Sequence, residues 1–283
     1  MDQAVKRVRP RRYFVDTSRG YVHVQDCGAG DRTVVFVTIT SFGGGLLDDV
    51  LPLMAERGYR AIAIDMMGYG LSDKKSEPWS MEDFADNMQE VFALAGASPD
   101  AIVSGHFSSL IGLELAARSL PGLKGLVIDG APLIGEDIQA NYKPGDGPTP
   151  LDWDEEGTHA VAFWKRAYGL MKRLNPEAPL EAQPSNRVRQ AYLAYQAVSS
   201  FEPGTFEAYA TFDVRKRIKD IAIPVQCMCA DTDWNLPHHP YYVENIPHAR
   251  EVRFTGVHPM HELNKPERAI EYVEVIDGFV RTL

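Results

Sequence analysis

Between Ala101 and Ala116 the chain reads Ala-Ile-Val-Ser-Gly-His-Phe-Ser-Ser-Leu-Ile-Gly-Leu-Glu-Leu-Ala, a run that few folds accept. A short apolar stretch rich in β-formers ends at Ser104, and Leu110, Leu113 and Ala117 then recur at helical spacing. A strand has to become a helix almost at once, and a turn this tight needs small residues two before and two after its apex. With His106 at the apex the flanks are Ser104 and Ser108, both small. With Ser108 at the apex they would be His106 and Leu110, both too large. The spacing therefore puts a histidine at an exposed tip.

Around this turn the sequence alternates strand and helix patterns, the signature of a mostly parallel α/β sheet. Strands are expected at Tyr13–Asp16, Tyr21–Gln25, Thr33–Ile39, Arg60–Asp65, Ala101–Ser104, Leu123–Asp129, Ile221–Cys229 and Glu251–Phe254. Helices are expected at Leu46–Arg57, Phe84–Leu94, Phe107–Ser119 and Pro266–Val280, with Ser80 and Asp83 forming a cap ahead of the second. From about residue 134 to residue 213 the rhythm stops. Prolines, acidic residues and aromatics replace it, which reads as a helical cap inserted into a core of residues 1–133 and 214–283. The core spans 203 residues in these two pieces (133 plus 70) and can bury its own apolar surface without a disulfide or metal staple.

Twenty-nine basic against 39 acidic residues give a net charge of −10, which argues against nucleic acid as a partner. The basic run from Lys6 to Arg12 is followed by no apolar stretch, so it reads as a solvated tail and not a signal peptide. No run is long and apolar enough to span a membrane. The cysteines, Cys27, Cys227 and Cys229, fit no zinc or redox spacing, and their odd number suits a reducing, cytoplasmic setting. Neither a dinucleotide fingerprint nor a metal motif is present: Gly43-Gly-Gly45 lacks the Gly-x-Gly-x-x-Gly spacing, so no cofactor and no metal are expected. The expected partner is a small molecule; the oligomeric state is open, a homodimer included.

In five places the chain resembles the α/β-hydrolase family. Ser104-Gly-His-Phe-Ser108 falls on the family's Gly-x-nucleophile-x-Gly elbow. Gly58-Tyr-Arg-Ala-Ile-Ala-Ile-Asp65 and Gly68-Tyr-Gly-Leu-Ser-Asp73 match two further stretches. Ala230-Asp-Thr-Asp-Trp234 falls where the family carries its acid, and Gly256-Val-His-Pro-Met-His261 where it carries its histidine. The resemblance implies an eight-stranded, mostly parallel sheet flanked by helices, with a cap. It departs at the tip, where His106 replaces Ser, Asp or Cys. It departs again after the third strand, where Thr38-Ile39 stands in place of His-Gly.

The resemblance assigns the roles. His258 is the base, oriented by Asp233, with Asp129 at the end of the strand after the elbow helix as the alternative acid. Backbone N–H groups of Thr40 and Phe107 would form an oxyanion hole. Thr38, Ser41, Ser108, Trp234 and the cap residues His159 and Trp164 are the candidate pocket residues. An imidazole at the tip can be a nucleophile, a general base or a metal ligand, the last in a two-histidine, one-carboxylate set with His258. The expected function is hydrolysis of a small, largely apolar ester, lactone or C–C bonded carbonyl compound, with His106 beside a His258–Asp233 pair. The alternatives are a cofactor-independent lyase, cyclase or oxygenase, or a non-catalytic ligand-binding relative.

Overall fold

The computed structural model describes residues 8–38, 43–75, 77–136, 139, 143, 154–162, 164–165, 169, 203–262 and 265–283. Eight strands form one sheet: β1 (Arg11–Thr17), β2 (Gly20–Cys27), β3 (Arg32–Val37), β4 (Tyr59–Ile64), β5 (Ala101–Gly105), β6 (Gly125–Asp129), β7 (Val225–Ala230) and β8 (Ala249–Phe254). Their spatial order is β1-β2-β4-β3-β5-β6-β7-β8. The pairs β1/β2 and β2/β4 are antiparallel and all the others are parallel.

β3 through β7 are almost continuously apolar because both of their faces are covered. On one face α2 (Met81–Leu94) and α3 (Phe107–Ala117) pack on Val35, Val37, Ile62, Ile64, Ile102 and Ile128. On the other, α1 (Val50–Glu56) and the C-terminal helix cover Val34, Phe36, Ala61, Val103 and Val127. Further helices are α4 (Pro203–Thr211), the single turn α5 (Val214–Arg217) and α6 (His239–Asn245), and the C-terminal helix is α7 (Pro266–Val280).

The strands expected from sequence all form, with shifted ends. The helix expected over Leu46–Arg57 breaks into a 3-10 turn at Gly44–Leu47 and α1 from Val50. Pro52 explains this, since its ring would clash with the Asp48 carbonyl in a continuous helix. β7 starts at Val225 and not Ile221, because Pro224 has no N–H to give to a ladder. The basic run is not all tail. Arg11 and Arg12 open β1, and Arg12 pairs with Asp48 at 2.7 Å. Ser80 caps α2 with Asp83 in the reciprocal arrangement the sequence suggests. Most of the segment read as a cap, residues 134–213, lies outside the described residues. Among the described residues no helix is long and apolar enough to cross a membrane, and no group of three or more side chains could hold a metal ion.

Candidate active site

His106 sits between β5 and α3 with φ 52° and ψ −124°, a backbone state costly for any residue with a side chain. The surroundings enforce it. The His106 N–H donates to the Asp129 carbonyl at 2.7 Å, while the Ser109 N–H donates to the His106 carbonyl at 3.0 Å. Ser108 Oγ accepts the Gly105 N–H at 3.0 Å and lies 3.0 Å from the Val37 carbonyl and 2.9 Å from that of Gly105. Ser104 faces Gly112 of α3 so closely that a Cβ there would stand 2.5 Å from its Oγ. Both small flanks are therefore needed, as the spacing suggests, and Ser108 is a staple of the turn and not a pocket residue.

The ring of His106 is 18% exposed, and its Nε2 lies 3.2 Å from Asp233 Oδ2. Asp233 is buried in the loop after β7, and its Oδ1 accepts the Asn235 N–H at 2.7 Å. Burial pushes this carboxyl up, but the His106 ring and the Asn235 N–H outweigh it and hold it below the usual carboxylate range. The contact is close but oblique, and Oδ2 has no well-aligned donor among the described residues. Gly130, at φ 57°, lets β6 pass beneath this pair: a Cβ there would stand 2.6 Å from Asp233 Oδ2 and 3.1 Å from His106 Nε2. Trp234 meets the His106 ring edge-on at 5.7 Å and is 54% exposed, so it flanks the site from the solvent side.

The pairing of His258 with Asp233 is not what the structure shows. His258 Nε2 lies 2.8 Å from Asp129 Oδ1, and its Nδ1 accepts the Met260 N–H at 3.0 Å. Because Nδ1 is an acceptor, the proton of the neutral ring is on Nε2 and goes to Asp129. Tyr272 donates to the other Asp129 oxygen at 3.2 Å. The ring is 3% exposed and packs against Phe254 and Tyr272. Both nitrogens are committed inside the protein, so His258 has no lone pair to offer a substrate in this arrangement. The pairing crosses the sheet. β6 and β7 lie side by side between β5 and β8, yet His106, which follows β5, meets Asp233 after β7, and His258, which follows β8, meets Asp129 at the end of β6.

Phe107 opens α3, where the first N–H groups of a helix have no intrahelical acceptor. Thr40 and Ser41 lie outside the described residues. His159 is buried, with Nδ1 3.4 Å from the Asp154 N–H, and Trp164 is 43% exposed; no described contact joins either to His106.

Sequence reasoning missed a third buried pair, His23 Nδ1 with Asp65 Oδ2 at 2.9 Å. Asp65 also accepts the Gly44 N–H at 2.5 Å and the Leu71 N–H at 2.9 Å, fixing two loops at the C-terminal edge of the sheet. The available signal was Asp65 at the end of a buried strand; nothing in a single histidine on β2 announces its partner.

Comparison with known proteins agrees with this architecture. The family model described as alpha/beta hydrolase fold matches residues 35–264. A protein of Azorhizobium caulinodans named as a carbamate hydrolase (RutD) is 27% identical over 231 residues, covering 74% of this chain and 77% of the relative. A 2-(acetamidomethylene)succinate hydrolase of Mesorhizobium japonicum is 30% identical over 109 residues, 38% of each chain. Among solved structures, the enol-lactonase of Burkholderia xenovorans superposes with a TM-score of 0.73 at 16% identity, over 95% of this chain and 100% of the lactonase. With most of its length matched by the family model and its sheet, elbow and late loops in the family's order, the chain belongs to the α/β-hydrolase fold family.

Proposed function

We propose that the protein is a hydrolase of small, largely apolar carbonyl compounds in which His106 is the reactive group and Asp233 orients it. The observation that carries this reading is the strained, half-open position of His106 with a buried carboxylate 3.2 Å from Nε2. An ordinary structural histidine gains nothing from such a backbone, and strain of this kind persists where function selects it. With its Nε2–H turned toward Asp233, the ring carries its lone pair on Nδ1. As a general base it takes a proton from water while the hydroxide adds to the carbonyl carbon, and the imidazolium then returns that proton to the leaving oxygen. The buried carboxylate stabilises the imidazolium formed between these steps. In this scheme the Phe107 N–H, at the start of α3, donates to the oxyanion. No cofactor enters this scheme. The names of the relatives, a carbamate hydrolase and an enol-lactonase, support an acyl-type substrate.

One observation favours a second reading. With His258 committed to Asp129 and Met260, His106 is the one base that the described residues leave at the site, which suits simple proton abstraction without water addition, as in an elimination or cyclisation.

The test is a panel of activated esters and lactones. His106→Ala is expected to lower kcat by about 10²–10⁴-fold with an unchanged circular dichroism spectrum. Asp233→Asn should follow it, while Asp129→Asn should cost much less. Turnover by His106→Ala at the wild-type rate would remove the histidine from the chemistry. An inactive Asp129→Asn beside an active Asp233→Asn would return the base to His258.

A further inference from the structure

At the C-terminal edge of the sheet, β3 lies between β4 and β5, so the chain leaves β3 in one direction and comes back to it from the other. Such a reversal opens a crevice in a parallel sheet. Here it holds a small, partly open recess. Leu46, Leu47, Val103 and Met260 give it apolar walls, and Gly105, the residue before His106, forms part of its rim. Three side chains with hydroxyl groups also line it: Thr38, Ser104 and Tyr272. Two are spent inside the protein, Ser104 on the Val127 carbonyl at 3.2 Å and Tyr272 on Asp129 at 3.2 Å. Thr38 is different. It is 3% exposed, its N–H is bound to the Ile64 carbonyl, and its Oγ1 is buried without a hydrogen-bond partner among the described residues.

A buried hydroxyl left unmade costs free energy that a valine of the same shape would avoid, so its presence asks for a ligand atom to complete it. Val37 pairs with Ser104 in the β3/β5 register, so Thr38 stands beside Gly105 and one residue from the elbow tip. The far wall is built by the pair that departs from expectation: His258 holds the Met260 N–H, and Asp129 holds the Tyr272 hydroxyl. The late-loop histidine thus shapes the recess.

We infer that this recess is the specificity subsite for one arm of the substrate, a short apolar chain carrying a single oxygen acceptor such as an ether or ketone, with Thr38 as its hydrogen-bond donor. The inference rests on the reading of His106 as the reactive group, since that fixes which end of the substrate enters. A site that hydrogen-bonds one substrate atom penalises an analogue lacking it far more than an apolar wall can.

The experiment compares isosteres. p-Nitrophenyl methoxyacetate and p-nitrophenyl butanoate differ by an ether oxygen in place of a methylene, and the ratio of their kcat/KM values in one variant against another cancels their intrinsic reactivity. Thr38→Val is expected to shift that ratio toward butanoate by about tenfold, and Thr38→Ser to restore it. In parallel, 2-methoxyacetamide and butyramide are titrated against the full chain carrying labelled methionine methyls. Methoxyacetamide should shift the Met260 signal at lower concentration than butyramide, and Thr38→Val should erase the difference. An unchanged ratio in Thr38→Val, or no amide shifting Met260, overturns the subsite. Amide binding as expected with both esters left intact keeps the subsite and overturns the hydrolytic reading instead.

Discussion

Gly130 is the residue on which the His106–Asp233 contact depends most directly. Its positive φ and the 2.6 Å that separates a virtual Cβ from Asp233 Oδ2 are two separate penalties. Gly122 supplies the control, because it has φ 88° with nothing within 4 Å of a virtual Cβ and lies between α3 and β6. Gly130→Ala and Gly122→Ala should each lose about 1–2 kcal/mol in urea denaturation for the left-handed backbone alone. Gly130→Ala should in addition displace the carboxylate and lower kcat by an order of magnitude or more, a loss Gly122→Ala does not share. Equal activity in the two variants would mean that the Asp233 position is not needed. This residue-level geometry also marks where the sequence stops speaking. His106 at the tip was readable, because only Ser104 and Ser108 are small enough to flank it. Which acid meets which histidine was not, because Asp129 and Asp233 stand at the ends of adjacent strands and a few ångströms of loop path decide between them.

At the scale of elements, α3 does more than present the tip. Its buried Glu114, 2% exposed, accepts Arg118 at 2.7 Å within the helix and Arg217 of α5 at 2.6 Å. Each arginine has a further partner, Asp86 at 2.5 Å and Asp220 at 3.0 Å. Elbow helix and post-insertion turn are thus tied through one carboxylate. Glu114→Gln should cost about 2–3 kcal/mol in denaturant unfolding, at or just below the low end for breaking a buried pair because both arginines reach water. A loss under 0.5 kcal/mol would mean the arginines are held by Asp86 and Asp220 alone. Element type was largely legible where apolar periodicity was long, as in β3 to β7 and α7. It failed where proline chemistry intervened, at Pro52, and where helix-forming pattern was absent. α6 begins His239-Pro-Tyr-Tyr, with no apolar stripe to read, and is held by Tyr242 reaching the Pro132 carbonyl. Tyr272 escaped for the same reason: a tyrosine on an amphipathic helix looks like packing until its hydroxyl is traced to Asp129.

For the whole molecule, buried titratable groups bound the pH range in which the fold is stable. His238 accepts the Leu133 N–H through Nδ1 at 3.1 Å, and with Asn235 on the Gly130 carbonyl at 2.7 Å it pins the segment leading out of β6. Burial holds its pKa below the ordinary 6.5, against the opposing pull of Asp233. Burial does the same to His239, against the opposing carboxylate of Glu251. Both histidines take up protons more readily in the unfolded chain, so stability falls as pH drops below about 6.5. The carboxyl of Glu114 is pushed up by burial but held below its ordinary 4.5 by two arginines. Its contribution is therefore present above that value and lost as pH falls further. On the alkaline side, burial raises Cys227 and Cys229 from 9.0 to about 12 and Tyr242 well above 10.0. These groups stay neutral in the fold while the unfolded chain ionises, so their contribution is whole below pH 9 and lost as pH rises toward 12. The urea midpoint should accordingly form a plateau between about pH 6.5 and 9, decline on both sides, and decline in two stages toward acid. His238→Gln keeps an acceptor for the Leu133 N–H without the titration, and should make the first acid stage shallower, with His239 supplying what remains of it, while leaving the one below 4.5 in place. A midpoint constant from pH 7.5 to 5 in the wild type, or an acid limb identical in the variant, would show that His238 does not set the first stage.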